Sequence, residues 1–155
     1  MDILFRLKRQ HTFEGLLLIL FIYPVSLFSQ IATVGVGRTH RCDVIFGADY
    51  PLPFEVNVKE RFTPSAEDLK AGEVILRAFS NLNLRKYIRQ YIGYIDSNSN
   101  KILVLNMLKD LGAKKNKLYY RNWDSEFVLG FGGIYEMNTH TQRINLAKKE
   151  LMGRF

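Results

Sequence analysis

Along residues 63–82 apolar side chains recur every three to four positions: Ala66, Leu69, Leu76 and Phe79, flanked by Ile75 and Leu82. That period predicts one amphipathic helix, with Lys70, Glu73 and Arg77 turned to solvent. Thr63 is placed to cap it, Pro64 is pre-shaped for its first position, and Glu67 and Asp68 suit the positive end of its dipole. Gly72 costs about 1 kcal/mol relative to Ala in a helix interior; close packing on a sheet would explain it. The period then changes. Tyr87–Asp96 is rich in aromatic and β-branched residues, Asp96-Ser97-Asn98-Ser99-Asn100 is turn chemistry, and Lys101–Leu108 returns as an apolar run. Together they predict a β-hairpin, which needs further strands to be stable by itself.

Phe54, Val56 and Val58 alternate with Glu55, Asn57 and Lys59, predicting a half-buried strand that follows the extended Tyr50-Pro51-Leu52-Pro53 connection. Ile31, Val34 and Val36 suggest a short strand weakened by Gly35 and Gly37. Beyond the hairpin, Leu111–Lys117 reads as a solvated loop. In Glu126–Asn138 the residues Phe127, Leu129, Phe131, Tyr135 and Met137 share one parity, predicting a strand that bends or splits at Gly132-Gly133. Asn138–Thr141 reads as a turn, Arg143–Ala147 as a last strand, and Lys148–Glu150 as a polar tail. Short strands, one helix and then antiparallel strands predict an α+β domain, with the helix packed on one face of a curled antiparallel sheet.

The first thirty residues stand apart. Arg6, Lys8 and Arg9 precede the thirteen-residue apolar run Leu16–Phe28, broken by Pro24, and Ser29 offers a small residue before Gln30. This is the layout of a secretory signal peptide over residues 1–29, with 30–155 as the single domain. Leu27, three before the cut, is larger than the preferred residue. A retained inner-membrane anchor is the rival, but a spanning helix needs roughly 17–25 apolar residues. The net charge of +7 at pH 7 falls to +6 on removal of Arg6, Lys8, Arg9, Asp2 and Glu14. A basic surface favours anionic partners, such as an anionic envelope component, without naming one; another envelope protein is the other candidate partner. A membrane partner follows only if residues 1–30 are retained.

The candidate chemistry is sparse. Cys42 is the only cysteine, so an internal disulfide is impossible; beside Val44-Ile45-Phe46 it reads as a small buried hydrophobe. His40, Cys42 and Asp43 are the residues a thiol enzyme would use, and 40 and 42 share a face of an extended segment. A nucleophile also needs a placed base and an oxyanion element, which the sequence does not supply. Gly35-Val36-Gly37-Arg38 lacks the rest of a phosphate loop. His40 and His140 with Asp43, Asp49 or Asp124 show no metal-ligand spacing, and Asp124 and Glu126 two apart read as a solvated edge. No cofactor is implied.

Two places mix basic and aromatic residues. Lys114, Lys115 and Lys117 precede Tyr119, Tyr120, Arg121 and Trp123, while Arg89 and Tyr91 share a strand face. Single-stranded nucleic-acid surfaces look like this, but an export segment removes that partner. The candidate binding residues are therefore Arg89, Tyr91, Tyr120 and Trp123, set against a plainer reading as a lysine-rich loop and sheet aromatics. Arg89 would otherwise stack on Tyr87 or Tyr91.

The segment from Lys86 to Asp96, containing Tyr-x-Arg-Gln-Tyr-x-Gly-Tyr, precedes the apolar strand Asn100–Asn106. With Gly132-Gly133-Ile134-Tyr135 and Ile144-Asn145-Leu146, it resembles a group of small exported bacterial proteins of unknown function. The likeness covers residues 54–155. Phe131-Gly132-Gly133 stands where the group often has Asp-Gly-Gly, and Met152-Gly153 where it has Asn-Gly. The resemblance implies export and an α+β fold, with no assigned catalytic residues. In outline a helix laid on an antiparallel sheet also looks like cystatin-like or NTF2-like folds, an analogy that carries no function. The expectation is an exported, non-catalytic binding or structural protein at the cell envelope, periplasmic or secreted, with the thiol enzyme as the alternative.

Overall fold

The computed structural model describes the backbone of residues 32–34, and residues 43–130 and 132–153. Its elements are β1 (Ala32–Val34), β2 (Asp43–Ile45), β3 (Val58–Phe62), α1 (Ala66–Phe79), β4 (Tyr87–Asp96) and β5 (Lys101–Lys109). They continue with α2 (Ala113–Tyr119), α3 (Gly133–Asn138), β6 (Thr139–Asn145) and β7 (Glu150–Leu151). The fold is mixed α+β, built on an open, mostly antiparallel sheet. Segment 1–29 lies outside the described residues.

The hairpin forms the middle of the sheet. β4 and β5 pair from Tyr87↔Lys109 to Ile95↔Lys101. The Asp96 carboxylate accepts from the backbone N–H groups of Asn98 and Asn100 at the turn, at 2.9 and 2.8 Å. Both strands are buried through their central seven residues, because both faces of the sheet are covered. That is why they read as continuous apolar runs rather than as a clean alternation.

The other edge of β4 is shared. β2 runs parallel to it, with Val44 opposite Gln90 and Ile45 opposite Tyr91. β3 pairs antiparallel to the far half, at Gly93–Asp96. The strand path is β1-β2-β4-β5-β6-β7, with β3 off it. The parallel β2–β4 pairing departs from the all-antiparallel expectation.

α1 packs on one face through Leu69, Gly72, Ile75 and Leu76. A Cβ on Gly72 would lie 2.5 Å from Leu103 Cδ2, so the glycine admits the helix to the sheet. The cap is Ser65 rather than Thr63: its side chain accepts from Asp68 N at 3.3 Å, and Asp68 Oδ2 accepts from Ser65 N at 3.1 Å. This reciprocal box satisfies two otherwise orphaned donors, and it leaves Thr63 Oγ1 to accept from Ala48 N at 3.1 Å. Phe79, assigned to the buried stripe, is 63% exposed, and Glu73, assigned to solvent, points inward.

Five expectations for the other elements are corrected. The alternating residues Phe54, Val56 and Val58 do pack against the core, but the strand starts at Val58, where β4 offers a free edge. The loop at Leu111–Lys117 is the helix α2, pinned by buried Asn116, which accepts from Leu111 N and donates to Asp110. The strand over Glu126–Asn138 is an irregular segment followed by α3, which begins after Gly132 at φ 92°. Its backbone groups are taken by side chains from the sheet instead of by a strand ladder. Finally, the turn at Asn138–Thr141 starts β6, and the polar tail supplies β7, paired at Ile144↔Leu151.

Candidate functional site

Strand alternation sends Arg89 and Tyr91 toward α1, as their parity implies. β2 brings Asp43 alongside, and α1 lowers Glu73 from above. Arg89 Nε and Nη2 each donate to Asp43, at 2.7 Å to Oδ1 and 2.7 Å to Oδ2, a bidentate fork. Arg89 Nη1 donates to Glu73 Oε1 at 2.6 Å, and the Tyr91 hydroxyl donates to the same oxygen at 2.8 Å. Glu73 Oε2 takes a further ion pair from exposed Arg77 at 3.0 Å. Asp43 and Tyr91 have no exposed surface and Arg89 is 9% exposed, so the cluster is sealed between helix and sheet. Carboxylates, not an aromatic ring, engage the guanidinium.

Two carboxylates, Asp43 and Glu73, flank one buried guanidinium, Arg89, and exposed Arg77 pairs with Glu73 from outside. Burial raises Asp43 to about 6, outweighing the attraction and hydrogen bonds of Arg89, with Glu73 adding repulsion. Arg89 is also raised: burial disfavours its charge, but Tyr91, Asp43 and Glu73 outweigh that. An upward shift makes the acid harder to ionise and the base easier to protonate, which looks contradictory for one pair. Burial reconciles them: it is the largest influence on both groups and raises Asp43 by disfavouring the carboxylate, whereas at Arg89 the surrounding anionic groups outweigh it. Burial, with Asp43 and Glu73 nearby, pushes the Tyr91 phenol well above its ordinary range, keeping it a donor.

The opposite face carries a second, uncharged network. Gln90 Nε2 donates to the carbonyls of Trp123 and Glu126, both at 2.7 Å, while its Oε1 accepts from Asn106 Nδ2 and Val128 N, both at 2.9 Å. Asn106 donates to Val128 O at 2.8 Å and accepts from the Thr141 hydroxyl at 2.9 Å. Together with the Tyr50 hydroxyl on Phe127 N, at 2.9 Å, these bonds hold the irregular segment against the sheet.

The four candidate residues therefore divide. Arg89 and Tyr91 lie under α1; Tyr120 and Trp123 lie on the other side. Tyr120 is fully buried, donating to Lys109 O at 3.2 Å, and burial raises its phenol to about 12. Trp123 is half-buried against the cores on that side. Glu73, Gln90 and Asn106 are the residues that sequence reasoning missed. Glu73 was detectable: it lies four after Leu69 and three before Leu76, inside the buried stripe.

His40 and Cys42 lie outside the described residues, while the Asp43 of that thiol set is committed to Arg89. His140 stacks edge-on to Tyr87 at 5.7 Å. Among the described residues, no three of His, Cys, Asp and Glu gather so as to hold a metal ion, and no helix is long and apolar enough to cross a membrane. The open feature is the outward face of α2, where Lys114, Lys115, Lys117, Leu118 and Arg121 are all exposed. No protein-family model, no curated protein and no solved structure matches the chain.

Proposed function

We propose that the chain is an exported α+β protein that acts by binding an anionic component of the cell envelope, without catalysis. In this reading residues 1–29 are the removed leader, and α1 on the sheet is the helix-on-sheet outline of cystatin-like and NTF2-like proteins. One observation carries the proposal: four basic side chains, Lys114, Lys115, Lys117 and Arg121, project together from α2 and the turn after it, in a chain of net charge +7, or +6 without residues 1–29. A clustered positive surface draws anionic partners and weakens as salt screens it. Arg89 and Tyr91 have a supporting role here, joining α1 and β2 to β4, because their polar atoms are engaged by Asp43 and Glu73. Trp123 borders the binding side.

Retention of the purified protein on envelope extract, measured against rising salt, tests the reading. Binding at low salt that is released as salt rises is expected, and absence of binding at low salt would overturn it. Mass spectrometry of the protein recovered from cells tests the export step: an N-terminus at Gln30 is expected, and Met1 would contradict cleavage.

A further inference from the structure

We propose that the outward face of α2, with the adjoining 126–130 segment and α3, is a peripheral docking surface for an anionic lipid bilayer. This rests on the reading above, narrows its anionic partner to lipid, and departs from the expectation that a membrane partner requires residues 1–30, because the contact lies on α2 and α3. Charge alone would suit any polyanion; the apolar side chains beside it decide. Leu118 is 63% exposed in the midst of the four basic residues, and Leu129 is 47% exposed. Together with Tyr119, Arg121, Glu126 and Tyr135 they line one groove of about 370 Å³. On α3, Ile134 and Met137 are three apart and exposed at 42% and 70%. The Tyr135 hydroxyl donates to Tyr119 O at 2.8 Å, so the two short helices form one held surface.

Large apolar side chains ringed by lysine and arginine are the composition of an interfacial membrane contact. The apolar groups enter the headgroup boundary while the ammonium and guanidinium groups meet lipid phosphate. Long basic side chains suit this depth, because their aliphatic stems cover apolar surface while their heads stay wet. Of the exposed acidic groups, Glu126 lines the groove while Asp124 and Glu136 lie on the adjoining turn and on α3, so the four basic groups keep an excess of one positive charge. A second copy of the chain fits less well. A two-fold interface would set this patch against itself and oppose its own positive charges. The face needs no ligand to form, since Asn116 and Tyr120 anchor α2 from beneath.

The chain's only tryptophan, Trp123, lies two residues after Arg121 and is half-buried beside this surface, packed on the core beneath it. The test uses the protein in the form that the cell yields. It is mixed with vesicles of phosphatidylcholine plus phosphatidylglycerol, with vesicles of phosphatidylcholine alone, and with dextran sulfate. With the anionic vesicles, a blue-shifted Trp123 emission that nitroxide-labelled lipid quenches and salt reverses is expected; neutral vesicles should leave it unchanged. Combining Lys114→Glu, Lys117→Glu and Arg121→Glu should weaken vesicle binding by roughly 100-fold. Leu118→Ser should weaken it less, while both variants keep the far-ultraviolet circular dichroism of the parent. Salt-sensitive binding to dextran sulfate without a vesicle response would overturn the lipid assignment and leave the anionic-partner reading standing. Binding to neither would overturn both, and unaltered vesicle binding by the charge-reversed variant would overturn this surface as the contact.

Discussion

Arg89 and Gln90 are neighbours in β4 that look to opposite sides of the sheet, and each anchors a polar network in a dry interior. On the α1 side, charge is met by charge, with Asp43 and Glu73 facing buried Arg89 and exposed Arg77. On the other side, Gln90 uses both donors and both acceptor positions on neutral partners, and no charge is taken out of water. The first network ties regular elements together. The second gives an irregular stretch the hydrogen bonds that a strand ladder would have given. Balanced amides can be buried with little residual cost, whereas a buried ion cluster depends on keeping every member.

The largest effect is expected from Arg89→Met, which leaves Asp43 and Glu73 facing each other without their cation. It should cost about 3–5 kcal/mol in urea denaturation at pH 7. Replacing Asp43, Glu73 and Arg89 together by apolar residues of similar volume should recover much of that loss. Gln90→Leu should cost less, about 2–3 kcal/mol, because the abandoned groups are neutral. It should also speed proteolytic cleavage within residues 123–130, and a larger loss than that of Arg89→Met would invert the comparison. Gly72→Ala drives a methyl group toward Leu103. Overpacking outweighs the gain in helix propensity, for a net loss of about 1–2 kcal/mol by thermal unfolding. Asn116→Ala removes the anchor of α2 and should cost about 1 kcal/mol by the same measurement.

The hairpin was legible because its apolar runs flank a five-residue turn rich in Asn, Asp and Ser. α1 was legible from its period, although the cap lies at Ser65 because only that position has a carboxylate three residues on. The common face of Arg89 and Tyr91 was legible from parity alone. Their partners were not. A glutamate on a helix is ordinarily solvated, and Asp43 lies in a three-residue strand whose parallel pairing has no local sequence signature. Parity misled at Glu126–Asn138, because the alternation of Phe127 and Leu129 suits any extended segment lying on a core. The bonds that make it irregular come from Gln90 and Asn106, some twenty to forty residues earlier. Leu118 directly follows the Leu111–Lys117 segment that reads as a solvated loop; only the burial of Asn116 and Tyr120 shows which side of α2 faces outward.

The burial of Asp43 under α1 is tested most directly by the pH dependence of stability in the parent and in Asp43→Asn. Asp43 is raised from 3.8 to about 6 in the folded protein, so the folded state holds that proton more tightly than the unfolded chain. Its contribution is most favourable below about pH 4 and is lost as pH rises to about 6. Asp96, held below the usual carboxylate range by the Asn100 side chain, pulls the other way at lower pH in both proteins. The difference between the two curves isolates Asp43. The parent should lose ground to Asp43→Asn between about pH 4 and 6 and run parallel to it above. A parent that instead gains on the variant as pH rises through that window would mean that Arg89 holds Asp43 ionised against the cost of its burial.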